Sequence, residues 1–426
     1  MSRPMVRVLY DVDSKKKLFR LFKDKDFYQR ATKGTYTGKA EDLINERNCF
    51  LKLTSTDNID TEQQIIVNNL TREGKFQFCY PFIERVYGNV EVRTISNGES
   101  KYYYGVSVEL VEGMDLRDLW KKQGDALKTD EGEKKIFRNM LQFLYGMRYY
   151  IHFDDPFYLH RDIKPENVMI DQNGDVKIID FDFAHISGST DTFIGKNYLG
   201  FTRGYTSPRG AEYVVNLQNE FYSVGRLFFF WLCGKDYYEL PERSGMGFFD
   251  LPYVKDPDLG FGTKTERYPE KFRAEEYKRF RMFLDRLCEV SETKSYRTVD
   301  DVIEDFLASL QERYKLTTRR QLEELLGIDG FPILCKKTES NVITAPNVCF
   351  KIGRKPYCGA TLDQYMMRDV VIGDAAAMMI YNIDNEIYYI PLEGTRRTEY
   401  REREDYKIRS GDAFVTKDGT EFKFKY

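Results

Sequence analysis

The residues best equipped for chemistry are His160-Arg161-Asp162-Ile163-Lys164-Pro165-Glu166-Asn167, followed at short range by Asp180-Phe181-Asp182. Between them, Val168-Met169-Ile170, Asn173-Gly174 and Val176-Lys177-Ile178-Ile179 read as strand, turn and strand. Such a hairpin returns the second acidic group to the first. A hydroxyl attacking phosphorus needs an acceptor for its proton, and Asp162 supplies one. Lys164 can neutralise charge on the moving phosphoryl group, while Asn167 and Asp180 offer oxygen ligands that suit Mg²⁺. The chemistry these types and spacings serve is phosphoryl transfer.

This set resembles the eukaryotic-type Ser/Thr protein kinase family, over roughly residues 28–315. Lys164, two places after Asp162, is that family's Ser/Thr-type mark. The resemblance implies ATP and Mg²⁺ as cofactors. It assigns catalysis to Asp162, Lys164, Lys52, Asn167 and Asp180, with Asn167 and Asp180 as the metal ligands. Lys52, on the short strand Cys49-Phe50-Leu51-Lys52-Leu53, would grip the phosphates, with Glu62 at the start of the next helix orienting it. Gly34 and Gly38, within Lys33-Gly34-Thr35-Tyr36-Thr37-Gly38-Lys39-Ala40, would form a phosphate loop carrying two of the three expected glycines. Val108 to Leu116 looks like the hinge, where backbone groups of Glu109 and Val111 would hold adenine, and Met169 joins the nucleotide site. Gly204 to Pro208 resembles the end of the activation segment, Phe221 to Gly225 the start of the large central helix, and Arg297 the late structural arginine.

Several positions depart from the family pattern. Phe50 stands where a small alanine is usual, so its ring must turn away or narrow the pocket. Asp182 replaces the last glycine of Asp-Phe-Gly. Glu220 replaces the aspartate that braces the catalytic loop, and Arg209 replaces the glutamate that pairs with the late arginine. All five groups expected to touch ATP, metal or hydroxyl survive. That favours an active enzyme over the alternative, a nucleotide-binding pseudokinase scaffold. Arg161 is a cation able to pair with a phosphate on the activation segment, where Thr190 or Thr192 is the expected site.

The elements around these groups read as an α+β chain, for which the resemblance implies a bilobal kinase fold followed by a small all-β sandwich. Residues 1–27 read as an N-terminal extension with a basic hairpin, 28–111 as a mainly stranded lobe and 112–315 as a mainly helical one. Ile136, Met140, Phe143, Leu144 and Met147 form one helical stripe; Val299, Val302, Ile303, Phe306, Leu307 and Leu310 form another, opened by a capping box at Thr298 and Asp301. Residues 316–346 suit a linker with a short helix. From 347 to 426, Phe350-Lys351-Ile352-Gly353-Arg354 and Gly411-Asp412 resemble a forkhead-associated (FHA) domain, a phosphothreonine-binding sandwich. Asp374 to Met379 stands where that family keeps its phosphate-binding set, so a docking module for a phosphorylated or unphosphorylated partner is expected.

Composition sets the outer bounds. A formal net charge of -3 over 426 residues gives no global field for nucleic acid. The longest apolar run, Leu227 to Cys233, is far below the ~18 residues of a membrane span. Seven cysteines without a CxxC pair suit a reducing, cytoplasmic setting. Protein substrates are the expected partners.

Overall fold

The computed structural model of the chain describes residues 8–57 (apart from 15, 23–26 and 30–33), 61–75, 82–151 (apart from 97 and 98), 158–186, 204–207, 216–236, 268, 270–289 and 294–327, together with the C-terminal strands named below and Asp412. By their contacts these fall into two units: residues 1–118 with 154–202, and residues 119–153 with 203–426.

The first unit begins with a hairpin, β1 (Val8–Asp11) and β2 (Lys17–Leu21). Its turn is held by the Asp11 side chain, which accepts the amides of Asp13 and Ser14. Then come β3 (Phe27–Gln29), β4 (Thr35–Asp42), β5 (Arg47–Ser55), helix α1 (Thr61–Lys75), β6 (Val86–Ser96) and β7 (Glu99–Glu109). The strands form an antiparallel sheet in the order β2-β1-β6-β7-β5-β4-β3, and β2 pairs a second time, with β4, from Phe19↔Asp42 to Leu21↔Ala40. This pairing closes six strands into a barrel. Residues 8–21, set apart above as an extension, thus supply two of its staves.

Strand periodicity divides the duties of β5. Cys49, Leu51 and Leu53 point into the barrel, against Leu9, Phe19, Leu21, Ala40 and Val92, none more than 5% exposed. Lys52 therefore belongs to the opposite face, with Phe50 and Thr54 on either side. After β8 (Gly113–Asp115), which pairs with β10, and β9 (Tyr158–Leu159), the chain makes the predicted hairpin, β10 (Val168–Asp171) and β11 (Val176–Ile178). β12 (His185–Ile186) pairs back with β9.

The second unit is mainly helical: α2 (Leu116–Leu127), which starts at the end of the first unit, α3 (Asp130–Ile151), α4 (Leu217–Cys233), α5 (Glu270–Arg273), α6 (Lys278–Leu287), α7 (Val299–Arg313) and α8 (Arg319–Leu326). The α3 stripe from Ile136 to Met147 is buried, and Phe137, Phe228, Phe280, Phe283 and Phe306 meet in a cluster of tilted and edge-on rings. The capping box at the start of α7 is formed, with Thr298 and Asp301 exchanging backbone-to-side-chain bonds.

Beyond α8 the described pieces are strands: β13 (Phe331–Cys335), β14 (Ile343–Ala345), β15 (Phe350–Gly353), β16 (Ala360–Thr361), β17 (Ala376–Ile383), β18 (Glu386–Pro391), β19 (Arg396–Arg397), β20 (Ala413–Val415) and β21 (Glu421–Lys425). They make two sheets, β14-β13-β21-β20-β19 and β16-β15-β17-β18. β13 and β14 lie in the stretch read as linker, and β13 pairs with β21 near the end of the chain. Arg354, Asp369 to Ile372 and Gly411 lie outside the described residues.

Because Phe19 packs inside the barrel at 5% exposure, Phe19→Ala should destabilise the first unit by about 3 kcal/mol. Hydrogen exchange of barrel peptides checks this, and protection equal to wild type would contradict it.

Candidate active site

The catalytic-loop residues and the β10–β11 hairpin are stitched together by backbone and ring. The Asn167 amide donates to Lys164, and Ile179, next to Asp180, donates its amide to the Asn167 carbonyl at 3.0 Å. His160 is fully buried. Its Nδ1 receives the Asp162 amide at 3.3 Å and its Nε2 lies 3.0 Å from the Ile179 carbonyl. A backbone amide can only donate, so Nδ1 is the acceptor and the ring proton sits on Nε2. Phe181 packs on the same ring, 4.5 Å between centroids.

Two donors meet at Asp162 Oδ2: Lys164 at 2.5 Å and the Asn167 amide nitrogen at 3.0 Å. With its nitrogen committed there and to the Asp162 carbonyl at 2.8 Å, Asn167 has its carbonyl oxygen left for a cation. An amide oxygen and the nearby Asp180 carboxylate are the hard donors Mg²⁺ takes, and Mg²⁺ completes its shell with water and phosphate oxygens. The residues therefore fit the metal. Among the described residues, no three His, Cys, Asp or Glu side chains gather to hold an ion by themselves.

Lys52, 3% exposed, is the electrostatic centre of the site. Its Nζ lies 2.7 Å from Glu73, 3.1 Å from Asp180, 3.1 Å from Asp182 and 3.7 Å from Glu84. Burial by itself would lower its pKa, but the four carboxylates reverse that and hold the ammonium form firmly. For the carboxyls the balance runs the other way. Burial, only partly offset by Lys52, pushes Glu73 well above the usual carboxylate range and Glu84 up to about 7. One cation among four acids leaves an excess of negative charge, which draws in protons or further cations.

Glu73 corrects one expectation. The helix carboxylate that meets Lys52 is Glu73, in the last turn of α1, whereas the expected partner, Glu62, stands in its first turn. Eleven residues separate them, about three helical turns, so both fall on nearly the same face. Docking of the C-terminal half of the helix decides between them. Gly74 lies so close to β6 that an added Cβ would sit 2.2 Å from the Asn89 side chain. Asn89 in turn donates to the Leu70 carbonyl at 2.8 Å, and Thr71 donates to the Tyr104 hydroxyl at 2.9 Å. A glycine late in a helical pattern was the available clue to that close approach.

The glycine segment divides. Gly34 stands just before β4 with φ +81°, the left-handed region glycine tolerates, and its carbonyl accepts the Ser55 amide. Gly38 lies inside β4, paired with Phe27 on one side and Leu51 on the other. It belongs to a continuous ladder on the barrel-facing side of β4, so it is no part of a phosphate-cradling turn. Residues 30–33 fall outside the described residues, as do Thr190, Thr192, Thr202 and Arg209.

Of the other expected residues, Glu109 ends β7, its carboxylate receiving Lys177 and the Arg85 amide at 2.9 Å each. Val111 lies two residues on, between β7 and β8, and Met169 sits half-buried on β10, paired with Asp115. Phe50 is half-buried on the Lys52 face of β5. Glu220 accepts the Tyr150 hydroxyl at 2.9 Å within the second unit. Glu84 went unnoticed in the sequence because a single acid in Phe82-Ile83-Glu84-Arg85-Val86 looks like an ordinary strand charge.

The family description "Protein kinase domain" matches residues 39–300. Similar proteins include the probable serine/threonine-protein kinase nek2 of Dictyostelium discoideum, 31% identical over 178 residues, covering 40% of this chain and 38% of the relative. Another is the serine/threonine-protein kinase PrkC of Bacillus subtilis, 26% identical over 197 residues, covering 46% and 28%. A third is the human receptor-interacting serine/threonine-protein kinase 3, 34% identical over 117 residues, covering 26% and 22%. The chain spans less than two fifths of the length of each of these relatives.

Glu73 is the carboxylate nearest the Lys52 ammonium, so Glu73→Gln should lower kcat/KM for ATP about tenfold, roughly 1.4 kcal/mol. Glu62→Gln should leave it within about twofold. Steady-state kinetics on both variants checks the assignment, and the reverse ranking would refute it.

Proposed function

The chain belongs to the protein kinase family, and from that premise we propose that it is an ATP-dependent Ser/Thr kinase that moves the γ-phosphoryl group to hydroxyls of protein substrates. The observation carrying this reading is the convergence of Lys52, Asp162, Lys164, Asn167 and Asp180 within one unit of the fold. In it, Asp162 accepts the proton of the attacking hydroxyl, its orientation fixed by Lys164 and Asn167. Lys164, 2.5 Å from Asp162, also faces the charge that builds on the transferring group. Lys52 takes the nucleotide phosphates, leaving Asp180 and Asp182 for them while Glu73 keeps it in place. Asn167 and Asp180 hold Mg²⁺, which when bound neutralises charge on the phosphates. The backbone of Glu109 and Val111 receives adenine, with Met169 lining the same site.

The test is transfer from labelled ATP to the protein itself or to a generic protein substrate. Asp162→Asn should cut kcat by about a thousandfold while nucleotide binding persists. Nucleotide binding without transfer by the wild-type protein would replace this reading with the pseudokinase scaffold.

We infer also that the C-terminal strands form a docking module for a protein partner, supported by the two sheets and by the FHA resemblance around Ile352-Gly353. Asp374 to Met379 lacks that family's phosphate-binding side chains, so the module acts independently of phosphate. A phosphothreonine-peptide library should yield no binder at micromolar strength, and one such binder would reverse the inference. A reducing, cytoplasmic setting fits the free thiols of Cys49, Cys233 and Cys288.

A further inference from the structure

Glu84 is a buried acid, 3% exposed, carried by a segment with little freedom. Its amide donates to the Ile178 carbonyl at 2.8 Å, and the Ile178 amide donates to the Phe82 carbonyl at 2.8 Å. Ile83 makes a parallel bridge to Ile178 and is fully buried. On the other side, Arg85 and Glu109 exchange two hydrogen bonds, backbone and side chain. So the chain around Glu84 is pinned both to β11, which leads directly into Asp180, and to the end of β7.

From this carrier the Glu84 carboxyl reaches the backbone amide of Asp180 and accepts its proton through Oε1. Asp180 has φ +67°, an expensive conformation for a residue with a Cβ, which persists only where the surroundings hold it. The same carboxyl lies 3.7 Å from Lys52. A charged or polar acceptor buried this deeply is destabilising unless its bonds are made, so its presence in an apolar run calls for a specific task.

We propose that Glu84 is a positioning residue for the metal ligand: by accepting the Asp180 amide it fixes the left-handed turn at Asp180, and so aims that carboxylate at the divalent cation. The inference rests on the kinase reading of the site, but its test does not depend on turnover alone. Glu84→Gln keeps an oxygen acceptor of the same length. Glu84→Met keeps the length and removes the acceptor, and Glu84→Leu removes it with a shorter, more rigid side chain in case the first variant folds poorly.

The primary measurement is Mn²⁺ binding in the presence of a non-hydrolysable ATP analogue, read by electron paramagnetic resonance. Alongside it run hydrogen exchange of the peptide spanning 179–183 and steady-state kinetics on the full chain. Glu84→Met and Glu84→Leu should weaken Mn²⁺ binding about tenfold, speed exchange at that peptide and lower kcat about tenfold with KM for ATP within twofold. Glu84→Gln should restore all three. Wild-type Mn²⁺ affinity and exchange in the variants lacking the acceptor would overturn the proposal, as would equal losses in Gln, Met and Leu variants. A wild-type protein that binds Mn²⁺ but transfers nothing would remove the kinase reading while leaving the Glu84 result intact.

Discussion

One ammonium group brings together parts of the chain that are far apart in sequence. Lys52 on β5 meets Glu73 from α1, Glu84 from the segment before β6, and Asp180 and Asp182 from the end of the second hairpin. Taking such a charge out of water is unfavourable, and only close opposite charges compensate for it. Each of those elements is therefore constrained to arrive at the same point. The excess of acid over base has its own consequence, since a triphosphate entering a site already negative needs cations with it. That condition and the metal-ligand roles proposed for Asn167 and Asp180 favour the same ligand.

The rest of the site is held by backbone rather than by charge. The ring of His160 spans from the Asp162 amide to the Ile179 carbonyl, so it ties the segment carrying Asp162 to the strand that precedes Asp180. The two non-glycine residues with positive φ in this region, Arg161 and Asp180, flank that tie. Strain is thus placed next to the groups whose orientation matters, and is balanced by fixed hydrogen bonds around it.

What could be read from the sequence was local. The spacing from His160 to Asp182 specifies loop, hairpin and acid in order, and the capping box and apolar stripes of α3 and α7 are short-range signals that the fold reproduces. What escaped depended on contacts between distant segments. Glu62 and Glu73 share a helical face, so only the close packing at Gly74 separates them. Gly38 looks like a loop residue until its ladder partners Phe27 and Leu51 are known. Glu84 is one acid in an apolar strand-like run, and nothing local distinguishes a buried acceptor from a surface charge.

The ring of six strands in the first unit has a consequence for how other polypeptides can engage it. Within it β5 is paired along nearly its whole length on both sides, with β4 from Thr35↔Thr54 to Asp42↔Arg47 and with β7 from Cys49↔Glu109 to Ser55↔Tyr103. An extended peptide seeking to add itself as a further strand finds no open row of amides on the strand that carries Lys52. Engagement of that strand by substrates or regulators must then run through its side chains, and strand exchange at β5 is disfavoured from the outset.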